Sequence, residues 1–304
     1  MSCMKMSASR LARLAAASAM ISGVAVAIAP GGSPAASATC VTTESWVPTK
    51  TDYFRLPGGL FRSQGLTVKG SQWFFSWQYG LERTRAVTAA GTTQWVSVMS
   101  RPLAIPPDLL AAGSNHIGDI DTYGNILIAP IEDGPAYLHP RLVFYNTLTM
   151  LPTGERYELP RSLLTEGVPW VAVDHTTNLA IAAEWNNTSV LNFFDIRHGM
   201  ALHHQVTLDR VLGRIQGAKV YQGTLWASRD DAAKSVISID LHTGHVTDLF
   251  ALHLAGEMEG IAMAPTAFGE MHVMFIHGNT KSANGLLELR SSLHHFARVA
   301  MTVC

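Results

Sequence analysis

Five stretches of this chain align on one another, and that self-similarity limits the fold more than any single residue does. HIGDID at residues 116–121 overlies PWVAVD at 169–174. SQGLTV at 63–68 precedes them, and IQGAKV at 215–220 and MEGIAM at 258–263 follow. Past a short polar or glycine-containing turn, each leads into a second apolar run: WFFSWQ, ILIAPIED, LAIAAEWN, TLWASRDD and HVMFIHGN. Four first segments carry glycine at one register (Gly65, Gly118, Gly217, Gly260), and the third carries Val171. Successive offsets at that register are 53, 53, 46 and 43 residues.

Each unit holds about four strand-like runs. In the second they read HIGDIDTY, NILIAPIED, RLVFYNTL and ERYEL; in the fourth AKVYQ, TLWAS, SVISIDL and HVTDLFAL, with turns at Gln222-Gly223 and Thr243-Gly244. Short β-branched and aromatic runs bounded by Gly, Asn, Asp and Pro are strand signals. Helical periodicity is confined to about one turn near 107–112. The expectation is an all-β chain of four-stranded antiparallel blades, a five-bladed β-propeller, with a sixth blade shared between the two ends as the alternative. Residues 43–56 are left over and are expected to add an outer strand to the last blade, beside HFARVAMTV.

The N-terminus reads differently. Lys5, Arg10 and Arg13 precede an apolar, Ala-rich run, and Ala36-Ser37-Ala38 supplies small residues for cleavage, the pattern of a secretory signal peptide. The reading is a signal over 1–38 and a single secreted domain over 39–304. Removing 38 of 304 residues leaves 266; removing three of 22 basic residues leaves 19 against 23 acidic. With no basic tract, nucleic acid is not an expected partner, and no later apolar run is long enough to span a bilayer. A monomer is expected. Of three cysteines, Cys3 leaves with the signal, while Cys40 and Cys304 stand at the two ends and are expected to bridge. That needs adjacent termini, which a closed ring provides.

In such a ring the starts of the first strands and the ends of the second emerge on one face. Candidate ligand-binding residues at this mouth are Gln64, Trp77, Trp170, Glu184, Trp185, Gln216, Arg229 and His277. Glu259, Gln64, Gln216 and Asp119 offer the hard oxygens calcium prefers. Glu259, with Glu166 or Glu184, could divide acid and base roles, and His116 could serve as a base. The Glu-Gly-Ile-Ala at 259–262 is similar to a segment of phytase-like and other calcium-binding propeller hydrolases, within a general resemblance to secreted β-propellers. That resemblance implies a propeller with calcium at its mouth; no complete catalytic motif of those families is present.

Three functions follow: binding of a small molecule or saccharide at the mouth, with calcium admitted; a metal-assisted hydrolase of phosphoesters, lactones or glycosides using Glu259, Glu166 and His116; or a protein-interaction scaffold. Whether the chain is an enzyme stays open. The remaining signals read as structural. Asp121 and Asp174 are expected to bond their own turns, and Pro130 to end or bulge its strand. The pairs His203-His204 and His294-His295 are expected in outer strands facing solvent.

Overall fold

Where one or both turn residues take positive φ, neighbouring apolar runs close into tight hairpins, and the repeats use this device more than once. Lys69 pairs with Gln72 across Gly70 (φ 58°), and Tyr221 with Thr224 across Gln222 and Gly223 (φ 53° and 77°). That backbone twist suits two-residue hairpins. The computed structural model describes residues 41–55, 58–89, 92–281 and 287–303. The expected signal segment, Cys40 and Cys304 lie outside the described residues, and with them the expected disulfide.

Among the described residues the strands form five antiparallel sheets, each four strands across. The first blade is Leu66–Lys69, Gln72–Trp77, Gly80–Ala89 and Thr92–Arg101. In the second, the first strand is split into His116–Ile117 and Asp121–Tyr123, followed by Ile126–Glu132, Arg141–Asn146 and Pro152–Glu158. The third is Ala172–Asp174, Leu179–Ala182, Thr188–Asp195 and Ala201–Leu212. The fourth is Ile215–Tyr221, Thr224–Arg229, Ser235–Asp240 and Val246–Ala251. The fifth takes Glu257–Thr266, Gly269–Lys281 and Leu287–Val303 from the C-terminal end and Val41–Phe54 from the N-terminal end. This closing strand runs antiparallel from Val41 opposite Val303 to Phe54 opposite Ser291, so the leftover segment does complete the last blade. The five-bladed reading holds, and the helical turn is present at Pro107–Ala111.

Each seam between blades has its own apolar core. Phe74 and Leu81 meet Ile117 and Ile131; Ile128 and Phe144 meet Val171 and Phe194; Phe193 meets Ile215 and Leu225. Trp226 and Val236 meet Met258 and Phe275, and Phe54 and Leu293 meet Trp73 and Phe75. Burying one such side chain contributes roughly 1.5–3 kcal/mol, so the ring is held by packing at every seam.

The repeated glycine is explained at the axis. A Cβ on Gly65 would lie 2.4 Å from Asp119 Cα, on Gly217 2.6 Å from Gly260 Cα, on Gly260 2.7 Å from Gly65 Cα, and on Gly118 1.9 Å from Pro169 O. The first strands therefore converge until only glycine fits. Asp119 fills the space they leave. Its Oδ1 accepts from Leu66 N at 2.8 Å, and its Oδ2 from Lys219 Nζ at 2.6 Å and Ala218 N at 3.2 Å. At this level the axis is packed rather than an open channel.

One expectation needs correction. The strand through Pro130 continues to Glu132; the irregularity falls on its partner, where residues 118–120 leave the ladder. Proline has no N–H to hold that partner, and the freed backbone turns to the next blade: Asp119 N donates to Pro169 O at 2.8 Å and Val171 N to Asp119 O at 3.1 Å. Asp174 does bond its own turn, accepting from Thr176 N and Thr177 Oγ1. Asp121 bonds the first residue of its turn too, accepting from Thr122 N at 2.8 Å, and also joins three blades, accepting from Thr67 Oγ1 and Val173 N, both at 2.9 Å.

Candidate functional site

The starts of first strands and ends of second strands do meet at one mouth, over the packed axis. A cavity of about 310 Å³ is lined there by Gln64, Gln78, Asn115, His116, Glu132, Gly134, Tyr137, Pro169, Trp185, Gln216, Glu257 and Glu259. Gln64, His116, Trp185, Gln216 and Glu259 were expected on strand register and are brought together.

His116 spans two oxygens. Its Nε2 lies 2.8 Å from Gln64 Oε1 and its Nδ1 3.3 Å from Glu132 Oε2. The other oxygen of Glu132 accepts from Val168 N, so this carboxylate is held by protein on both sides. Glu259 is different. It is only 2% exposed, yet its carboxyl has no hydrogen-bond or ion-pair partner among the described residues. Burial pushes its pKa well above the usual carboxylate range; Glu257, Asp230 and Asp119 push the same way, and Arg214 pulls back. A buried polar group is normally bonded, so this unpartnered carboxyl in a cavity wall is an exception. Arg214 is already engaged: it pairs with Asp230 and lies 4.7 Å from the Trp185 ring centroid.

Other expected site residues are placed elsewhere. Trp170 is fully buried in the core between the third and fourth blades and presents no face to a ligand. Trp77 is buried against Phe61, with ring centroids 4.7 Å apart. Glu184 accepts from Thr165 N at 2.5 Å and Thr165 Oγ1 at 2.6 Å, fixing the loop before the third blade. Glu166 accepts from Asn187 Nδ2 at 3.3 Å, while its second oxygen is buried without a partner. Arg229 donates to Gly213 O at 3.1 Å and pairs with Asp231. His277 is bonded to Ser292 Oγ at 2.6 Å, inside the fifth blade.

Both oxygens of Asp119 accept hydrogen bonds from protein groups. Burial pushes its pKa up to about 7, against the pull of Lys219. Among the described residues no group of three or more His, Asp or Glu side chains is placed to hold a metal ion. Of the oxygens expected to hold calcium, those of Asp119 accept protein hydrogen bonds, Gln64 Oε1 faces His116, and the Glu259 carboxyl has no protein partner among the described residues.

Sequence reasoning missed Glu257, Asn115 and Tyr137. Glu257 had a signal, since it lies two residues before Glu259 on one strand and so shares its face. Tyr137 had none, because it sits in a loop outside the repeat. Its hydroxyl pKa is raised by burial and by Glu132 and Glu166. The pair His294-His295 was misread. His295 is fully buried, its Nδ1 2.8 Å from that of His272, while His294 turns to the other face and meets Ser292 Oγ at 2.9 Å.

No family model matches this sequence, and no curated protein matches it. Among solved structures, hydrazine synthase of Kuenenia stuttgartiensis superposes with a TM-score of 0.43 at 13% identity, over 79% of this chain and 66% of that one. The protein U3-55K superposes with a TM-score of 0.45 at 10% identity, over 75% and 62%. The chain thus spans just under two thirds of either neighbour. At this level of likeness neither bears on what this protein does.

Proposed function

We propose that the protein binds a small polar molecule or a saccharide at the axial mouth, with Glu259 as its anchoring carboxyl. The observation that carries this reading is the Glu259 side chain, 2% exposed and without a protein partner in the wall of a cavity of about 310 Å³. Amide groups from Gln64, Gln78, Asn115 and Gln216 around one indole are the usual furnishing of such a site. Export to the cell exterior is part of the proposal and is supported by the leader's basic start, apolar run and cleavage residues. A Cys40–Cys304 bridge is supported by the ladder that ends with Val41 opposite Val303, the residues next to each cysteine.

Hydrolysis is the second reading. A carboxyl whose pKa is raised by burial, in the cavity that His116 and Glu132 also line, suits a general acid near a base. Melting curves with calcium and with chelator, for the mature protein and Glu259→Gln, come first. A screen of saccharides, phosphoesters and lactones follows, for binding and for turnover. Binding lost in Glu259→Gln without turnover supports the binding site; turnover lost with unchanged melting supports the hydrolase. Ligands bound equally well by wild type and variant would sink both. A calcium-dependent rise in melting temperature confined to wild type would place a cation at Glu259.

A further inference from the structure

We propose that the cleft between the closing strand and the first blade is a second binding site, one that takes a pyranose ring bearing a carboxylate. The cleft lies where the outermost strand of the fifth blade, Val41–Phe54, runs past that of the first, Thr92–Arg101. Lys50 Nζ reaches Thr93 Oγ1 at 2.5 Å and ties the two edges. Beside that tie opens a cavity of about 490 Å³, larger than the axial mouth.

Its chemistry is opposite to that of the mouth. Arg62 and Arg55 line it against a single carboxylate, Glu82, whereas the mouth carries Glu132, Glu257 and Glu259. Glu82 holds Arg62 through Nε at 2.7 Å and Nη2 at 3.3 Å. The guanidinium is buried, 4.8 Å from the Phe54 ring centroid and 6.0 Å from that of Trp95. Its Nη1 makes no hydrogen bond among the described residues and is not among the buried atoms sealed without a partner. Arg55 is exposed at the rim and likewise has no partner among the described residues. Two guanidinium groups with free donors at one cleft suit a carboxylate, which Arg binds through parallel N–H donors.

The remaining features suit a sugar ring. Tyr53 is 69% exposed and lines the cavity, where an aromatic body with a polar tip favours partly apolar, partly wet ligands. Hydroxyls of Thr93 and Ser97 line the opposite wall. A uronic acid ring supplies hydroxyls, an apolar face and a carboxylate together.

The test uses the mature protein titrated calorimetrically with trigalacturonate and with neutral galactotriose. The expected result is binding of the uronate, at least tenfold weaker binding of the neutral sugar, and loss of affinity as salt rises. Tyr53→Ala and Arg55→Gln are each expected to weaken uronate binding at least tenfold with unchanged melting, because both side chains are exposed. Glu259→Gln is expected to bind it as wild type does, which separates this site from the mouth. No uronate binding, equal binding of the neutral sugar, or wild-type affinity in both cleft variants overturns the proposal. Loss of uronate binding in Glu259→Gln alone overturns it as well.

Discussion

Lys219 Nζ lies 2.6 Å from Asp119 Oδ2 at the ring axis, joining the fourth blade to the second, with both side chains buried. Asp119 also accepts from Leu66 N of the first blade, so one carboxylate holds three blades at the point where glycines leave it room.

Removing one partner of such a pair leaves a buried charge uncompensated and costs roughly 3–5 kcal/mol, whereas replacing both with apolar side chains of similar volume is often neutral or stabilising. Lys219→Met is therefore expected to destabilise strongly, and the Asp119→Leu, Lys219→Met double variant to recover part of that loss. Urea unfolding of wild type, Lys219→Met and the double variant measures this. A double variant no more stable than Lys219→Met would mean that Asp119 matters mainly for its bonds to Leu66 N and Ala218 N.

Glu259 makes stability fall as pH rises. Its folded pKa is raised by burial, so its contribution to stability is complete below the unfolded value of about 4.3 and is lost as pH rises through the folded value. Over that window the loss runs at up to about 1.4 kcal/mol per pH unit. Glu259→Gln has no such titration. Its stability relative to wild type is expected to rise steadily above about pH 4, read from melting temperatures at matched ionic strength; a gap that does not change with pH would contradict it.

The acid limb belongs to histidines of the fifth blade. Burial, and then His295, push His272 down to about 3, with Nε2 at 3.0 Å from Ala264 O. Burial, His277 and His295 push His294 down to about 4. Folded values below the unfolded value of about 6.5 mean stability that is present above it and lost as pH falls through the folded values. For His272 that loss approaches roughly 3 kcal/mol near pH 4. His272→Gln is expected to unfold less steeply between pH 6 and pH 4, seen by circular dichroism during acid titration. Wild-type acid sensitivity in that variant would move the origin elsewhere.

Gly260 should tolerate no side chain. A Cβ there meets Gly65 Cα at 2.7 Å and Gln64 O at 2.8 Å, and backbone cannot swing aside as a side chain does. Gly260→Ala is expected to cost about 1–3 kcal/mol or more through overpacking, measured by urea unfolding. It should also disturb binding at the mouth, because Glu259 is its neighbour in the chain.

Much of the site was legible for a simple reason. Gln64, His116, Gln216 and Glu259 hold corresponding places in successive repeats, and corresponding places in a ring share one face. Trp170 shares that register too, yet it is core, because the first strand of the second blade leaves its ladder and Asp119 pairs with the neighbouring blade there. Nothing in the local pattern around Trp170 announces a break that occurs fifty residues earlier.

The sequence by itself determined the architecture: five units, their strands, the glycine register and the joining of the two ends in the last blade. These follow from periodicity and turn chemistry, which act over a few residues and are written in order along the chain. The tertiary structure alone decided which polar groups are spent and which are free. Asp119 was paired with Lys219, a hundred residues away, and His295 was buried against His272, while Glu259 was left without a partner among the described residues. Charge and hydrogen bonding are satisfied between strands distant in sequence, so only the closed ring brings those partners within reach.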